Sequence, residues 1–316
     1  MSDRPLRFGY LLPTRESVMT GAPQTGPLLA LAERAESMGF DSLWIGDSLL
    51  ARPRHEPLTL LAAVAARTDR VEIGTAVLLP ALRNPVQLAQ SAATVDQISE
   101  GRLILGVGIA ADVPNVRNEF AAAGVPFEER TGRMLEGVRL CRGLWQREPV
   151  TGSGRWPFDS AVAGPAPFRP GGPPLWAASS TDAGLTRVAR HFDGWMPIGP
   201  DAATLGGQWQ TVQERADKYG RDGELTFAVY LTLSIDQDVG RADERLDNYL
   251  ADYYGVNPAL MRHHQATYAG DEARACDWLR SFANVGATHL ILRFAGDQDA
   301  HLAAAANITH QFRLHT

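Results

Sequence analysis

Residues 70–111, RVEIGTAVLLPALRNPVQLAQSAATVDQISEGRLILGVGIAA, read as strand, helix, strand, with glycines at both strand exits. The first strand, Val71 to Leu78, is an apolar run interrupted by Gly74; the second, Arg102 to Gly108, ends in the pair Gly106 and Gly108. Runs this apolar suit parallel strands covered on both faces. Between them Pro85 opens an Ala-, Leu- and Gln-rich helix that closes at Gly101, as expected of proline in a first turn and glycine just past a last one. The unit is βαβ, and its glycines predict a close approach of backbone to a ligand at the strand exits.

The same alternation extends outward over nearly the whole chain. Strand candidates are Leu6–Leu12, Asp41–Gly46, Val71–Leu78, Arg102–Gly108, Pro174–Ala178, Gly194–Ile198, Leu225–Ile235 and Thr288–Phe294, with helical patterns between them. Eight strands and their helices in a chain of 316 residues match the size of a single-domain (β/α)8 TIM barrel, with a doubly wound open sheet as the structural alternative. Two stretches break the pattern. Thr151 to Pro174 is dense in Gly and Pro, carries Trp156, Phe158 and Phe168, and predicts a loop packed over the barrel mouth. Val239 to Tyr268, with Tyr249, Tyr253, Tyr254, His263 and His264, predicts a helical insertion before the eighth strand, its tyrosines readable as core.

Composition narrows the function. The chain is 45% hydrophobic with a net charge of −6 and no basic run, which argues against a nucleic-acid partner. Cys141 and Cys276 stand far apart with no CxxC, so neither a disulfide framework nor a structural zinc site is expected, and a cytoplasmic location fits. The start, MSDRPLRFGYLLPT, passes from a short polar lead into a strand without an apolar signal core, and no apolar run approaches the ~20 residues of a membrane span. His263 and His264 are adjacent and cannot share one helix face, so no metal is assigned.

Several segments together resemble the luciferase-like monooxygenase superfamily, barrels of the bacterial-luciferase type that bind FMN or the deazaflavin coenzyme F420. They are FGYLLPT at the first strand, GFDSLWIGDSL at the second, EPLTLLAAVAARTDRVEIGTAVL into the third, NPVQLAQSAATVDQISEGRLILGVG through the fourth, PFEERTGRMLEGVRLCRGLW in the next helix, PPLWAASS at the fifth and FDGWMPIG at the sixth. A flat, apolar ring reactive at one face needs a rigid wall behind it. The resemblance implies that this wall is a bulge after the third strand with a non-prolyl cis peptide at Ala76–Val77, preceded by Thr75. It implies a phosphate site where Ala177, Ala178, Ser179, Ser180 and Thr181 run into a helix, whose N-terminal N–H groups and dipole favour an anion. Ser180 or Thr181 could equally cap that helix.

The sequence also departs from the family. Many relatives carry Asp-His at the second strand exit, and in deazaflavin dehydrogenases that histidine serves hydride chemistry; here the pair is Asp47-Ser48. An acid common after the fourth-strand glycines is replaced by Ala110 and Ala111, with Asp112 one step on. These departures weigh against a sugar-phosphate or alcohol dehydrogenase mechanism. The leading expectation is therefore a monooxygenase using reduced FMN and molecular oxygen on a small organic substrate. F420-dependent hydride transfer, with Asp112 or Asp47 as proton donor, is the alternative, and a non-catalytic flavin-binding barrel the second. A homodimer is expected by family analogy. Arg52, Arg54 and His55 are candidates for the mouth or for solvent. Arg293, a charge inside the apolar strand LILRF, should meet a substrate or a carboxylate at the C-terminal face of the barrel.

Overall fold

The computed structural model describes residues 5–221 and 225–314, so the polar lead at Met1–Arg4 falls outside the described residues. The strands are β1 (Arg7–Leu11), β2 (Ser42–Ile45), β3 (Glu72–Leu78), β4 (Leu103–Val107), β5 (Val150–Gly152), β6 (Phe158–Ala161), β7 (Leu175–Ala177), β8 (Gly194–Trp195), β9 (Thr226–Ile235), β10 (Thr267–Gly270) and β11 (His289–Phe294). The main sheet runs β10-β9-β11-β1-β2-β3-β4-β7-β8, and β8 also pairs with β9, so eight of its strands close on themselves. Every pairing in it is parallel. This is a (β/α)8 barrel, and the open-sheet alternative is excluded. All eight predicted strands are present, though the sixth is only Gly194–Trp195. The ninth strand, β10, lies along Thr232–Ile235, the outer half of the long β9.

Alternate residues of each strand divide between two environments, as period-two geometry requires. Phe8, Leu43, Ile45, Ile73, Leu105, Phe227 and Leu290 face the helices in one continuous core. Leu11, Trp44, Ile104, Trp176, Met196, Ala228, Tyr230 and Ile291 fill the barrel itself. Trp44 and Trp176 pack with ring centroids 5.3 Å apart, and His289 stands edge-on to both. Ser42 Oγ accepts from Trp44 Nε1 at 2.7 Å and lies 2.6 Å from His289 Nε2. The imidazole is neutral because burial, aided by Arg7, pushes it down to about 3.

The two irregular stretches differ from expectation in instructive ways. Residues 151–174 contain a β5–β6 antiparallel hairpin rather than an unstructured loop over the mouth. It lies on the outer flank of helices Pro85–Ile98 and Arg130–Leu144: Arg133 covers the Trp156 ring, Arg155 pairs with Glu129 and Glu136, and Gln90 and Gln97 bond the Gly164 and Ala166 carbonyls. The insertion before the last strand is helical as expected, but it breaks into helices Val239–Tyr254 and Pro258–His264 followed by β10. Gly255 stops the first helix in the left-handed conformation and Asn257 caps the second. Helices Thr14–Met19 and Pro114–Ala122, both in βα connections, were not anticipated.

Candidate active site

The bulge is where the parallel register slips. β3 pairs with β4 at Thr75↔Leu105 and again at Leu78↔Val107, and between them the Ala76–Val77 peptide is cis. Thr75 Oγ1 donates to the Gly106 carbonyl at 2.7 Å, and Gly108 N donates to the Leu78 carbonyl at 2.9 Å, tying both shoulders to β4. The glycine pair serves this contact. A Cβ on Gly106 would collide with the Thr75 carbonyl oxygen, and one on Gly108 would lie 2.7 Å from Val77 Cγ2 and 3.9 Å from Ala178 Cβ. The backbone approach predicted for a ligand is thus made first by the bulge itself, and Val77, Gly108 and Ala178 form one surface.

Asp47 braces the exit of that bulge. Its side chain is 2% exposed, accepts from Leu79 N at 2.9 Å and pairs with Arg83, whose other nitrogen reaches Glu56 at 3.1 Å. Ser48 Oγ donates to Glu119 Oε1 at 2.6 Å and accepts from Arg52 N at 2.8 Å. The buried Glu119 also accepts from Leu50 N at 2.8 Å, so it anchors the loop after β2. Asp112 is half-exposed and held by Arg117 at 2.6 and 2.8 Å on the surface. The chain turns outward two residues earlier, at Ala110, a non-glycine residue with φ +63°. Asp47 is therefore brought beside the bulge, Ser48 is turned to Glu119, and Asp112 is held on the surface.

Beyond Ala178, β7 runs on into helix Asp182–His191. Ala177 is buried toward the helices. Thr181 caps the helix by accepting from Gly184 N at 3.2 Å, and Ser180 and Thr181 are exposed. Trp195 Nε1 fixes the segment by donating to the Ser179 carbonyl at 2.7 Å, and Gln208 Nε2 donates to the Ser180 carbonyl at 3.2 Å. Gln208 Oε1 is buried beside it with no partner among the described residues. A Cβ on Gly184 would overlap Ser179 Oγ, so this helix start is open to close approach only because residue 184 is glycine.

The mouth is strongly cationic. Arg293 is 1% exposed at the end of β11. No carboxylate meets it among the described residues; it instead donates to Thr232 Oγ1 at 2.8 and 3.1 Å, Gln265 Oε1 at 3.0 Å and the Tyr254 hydroxyl at 3.0 Å. The rings of Tyr230, Tyr249, Tyr253 and Tyr254 surround it, with centroids 4.6–5.4 Å from its guanidinium carbon. Such ring faces offset the cost of a buried cation without neutralising it, and Arg293 stays charged. Of the two partners expected, a substrate or a carboxylate, the second is not found among the described residues, because aromatic faces and neutral acceptors can satisfy a planar guanidinium.

Three more arginines join it. Arg54 donates to Tyr253 at 3.0 Å, Arg52 covers the Tyr254 ring and Arg15 the Tyr253 ring, each at 4.9 Å. A Cβ on Gly46 would collide with Arg54 Nη1 and lie 3.5 Å from the Ala76 carbonyl oxygen, so this guanidinium stands next to the bulge. The nearby carboxylate, Glu16, is engaged by Tyr249. Nε of both Arg15 and Arg52 is buried with no acceptor among the described residues. His55 is turned away to the Pro23 carbonyl. Sequence reasoning ranked Arg52 and Arg54 low and missed Arg15, Thr232, Gln265 and Glu119. The Tyr spacing of four and five along one insertion helix was the available signal.

Comparison with known proteins places these features in context. The family model described as luciferase-like monooxygenase matches residues 6–310. An F420-dependent glucose-6-phosphate dehydrogenase of Nakamurella multipartita is 32% identical over 96% of this chain and 95% of its own length. The enzyme of the same name from Kribbella flavida is 36% identical over 74% and 70%. Among solved structures, the monooxygenase RslO1 from Streptomyces bottropensis superposes with a TM-score of 0.82 at 21% identity, covering 98% of this chain and 100% of that one. An F420-dependent secondary alcohol dehydrogenase gives 0.82 at 22% identity over 96% and 98%. Both likenesses establish the fold.

Proposed function

The chain belongs to the luciferase-like monooxygenase family of oxidoreductases, and from that premise we propose that it is an F420-dependent dehydrogenase acting on a small anionic substrate that carries a hydroxyl group. The observation that carries this reading is the mouth: Arg15, Arg52, Arg54 and Arg293 stand around the tyrosines against Glu16, and two of their N–H groups have no acceptor among the described residues. A phosphate or carboxylate would supply them. Relatives matched along most of this chain are F420-dependent enzymes named for a sugar phosphate, which favours hydride transfer over the FMN and oxygen reading expected from sequence.

The residues fit such a cofactor. The surface of Val77, Gly108 and Ala178 would back the ring, and Ser179, Ser180, Thr181 and the Gly184-opened helix start would hold a phosphate. When bound, the deazaflavin supplies a two-electron hydride acceptor. Asp47 and Arg83 keep the bulge in position, and the arginines orient the substrate by its anionic end. Fluorescence titration with F420 and with FMN tests the reading. Tighter binding of F420, strengthened when inorganic phosphate is present, is expected; preference for FMN with no response to phosphate would overturn it.

A further inference from the structure

The Arg293 cage determines which way its hydrogen bonds run. A guanidinium can only donate, so Gln265 must turn Oε1 toward Arg293 Nη2, 3.0 Å away. Its amide nitrogen is then left facing Tyr254, to whose hydroxyl it donates at 2.6 Å. Arg293 Nη1 donates to the same oxygen at 3.0 Å. Both acceptor positions of the phenol are therefore filled, and among the described residues its own proton goes to no acceptor. A hydroxyl held in this way has only a proton to give or, once ionised, a place for one, with two donors ready to stabilise the phenolate.

We propose that the Tyr254 hydroxyl is the group that exchanges the substrate's proton, a role that rests on the dehydrogenase reading above. In the oxidising direction the substrate O–H bond breaks and its proton passes to the Tyr254 phenolate oxygen. The electron pair left on oxygen forms the C=O bond as the carbon's hydrogen leaves with its electron pair for the oxidised deazaflavin. In the reverse direction the phenol returns the proton. This fills the vacancy at the second strand exit, where Ser48 is committed to Glu119 and Asp47 to Arg83. A chain of contacts links it to the bulge: Tyr254 packs on Tyr253 at 4.8 Å between centroids, Tyr253 accepts from Arg54, and Arg54 stands over Gly46 beside the bulge.

The charges around the phenol work in the same direction. Facing it are Arg293 from β11 and Arg52 from the loop after β2; Arg54 from the same loop and Arg15 from the helix after β1 stand against the neighbouring Tyr253, the phenols Tyr230 and Tyr249 share the Arg293 cage, and Glu16 is the carboxylate nearby. Burial alone would push Tyr254 up, but the charge and hydrogen bond of Arg293, the Gln265 hydrogen bond and the charge of Arg52 hold it below the usual tyrosine range. Burial dominates at Tyr230 and Tyr249, which lie well above it.

Tyrosinate absorbance of the apoprotein, titrated upward in pH, tests this without substrate or cofactor. Wild-type protein should show one phenol ionising before the others. Tyr254→Phe should abolish that step, and Gln265→Leu, which removes one donor, should move it to higher pH. In the F420-loaded enzyme with glucose 6-phosphate as probe, Tyr254→Phe should slow hydride transfer by roughly 10² to 10⁴-fold and flatten its pH profile while F420 binding persists. Retention of the early step in Tyr254→Phe, or its indifference to Gln265→Leu, would overturn the assignment. Failure of wild-type protein to bind F420 would instead remove the dehydrogenase reading and leave the titration to decide whether Tyr254 is an activated phenol.

Discussion

Single residues carry most of the chemistry, and two of them give sharp expectations. His289 sits neutral in the barrel between Trp44, Trp176 and Ser42. An unfolded chain protonates such an imidazole near ~6.5, whereas burial keeps the folded ring neutral down to about 3. Across that window the unfolded state binds more protons, so His289 contributes stability that is full above ~6.5 and is lost as pH falls, by up to ~1.4 kcal/mol per pH unit. Denaturant unfolding of His289→Asn should show a shallower loss from neutral to acidic pH than wild type; equal slopes would mean that the ring is already charged in the fold. Asp47 offers the second case. Asp47→Asn leaves Arg83 with Glu56 alone, and the expected cost is about 3 kcal/mol, the low end for breaking a buried pair because that neighbour remains. Loss of stability without loss of cofactor affinity would deny Asp47 its part in bracing the bulge. Neither role could be read from sequence, since His289 and Ser42 lie 247 positions apart and Asp47 and Arg83 36 apart.

Elements show where the sequence speaks and where it is silent. Helix Pro85–Ile98 was legible because Pro85 and Gly101 punctuate it, and Asn84 caps it by accepting from Val86 N at 2.9 Å. The bulge was legible through family resemblance, and its cis bond falls at Ala76–Val77 as implied. Its dependence on β4 was not, because a glycine in sequence does not announce what fills its space. Gly106→Ala places a methyl against the Thr75 backbone, where nothing can rotate aside. The expected result is a destabilisation of about 1–3 kcal/mol, with F420 affinity falling in parallel, measured by thermal unfolding and fluorescence titration. An unchanged affinity would separate the bulge from the cofactor. The β5–β6 hairpin was misread because its short strands lack period-two alternation and take their place from Trp156 and Arg155 packing on a helix. The insertion tyrosines were read as core for a related reason: aromatic spacing on a helix looks the same whether it covers aliphatic side chains or a buried guanidinium.

At the scale of the whole molecule, the closed parallel barrel gathers strand ends widely separated in the chain into one mouth. The eight-strand alternation and apolar runs made that architecture legible. The charge of the mouth was not, because Arg15, Arg52, Arg54 and Arg293 are dispersed among 30 Lys and Arg residues in a chain of net charge −6. Their convergence beside the bulge turns a family-level oxidoreductase into a proposed dehydrogenase for anions. The central measurement is anaerobic mixing of the protein with oxidised F420 and a panel of hydroxylated phosphates and carboxylates that includes glucose 6-phosphate. Bleaching of the deazaflavin by an anionic member, at the same rate in air and with no oxygen consumed, is the expected result. Inertness toward the whole panel, together with oxygen uptake when reduced FMN is supplied instead, would contradict the account and restore the oxygenase reading.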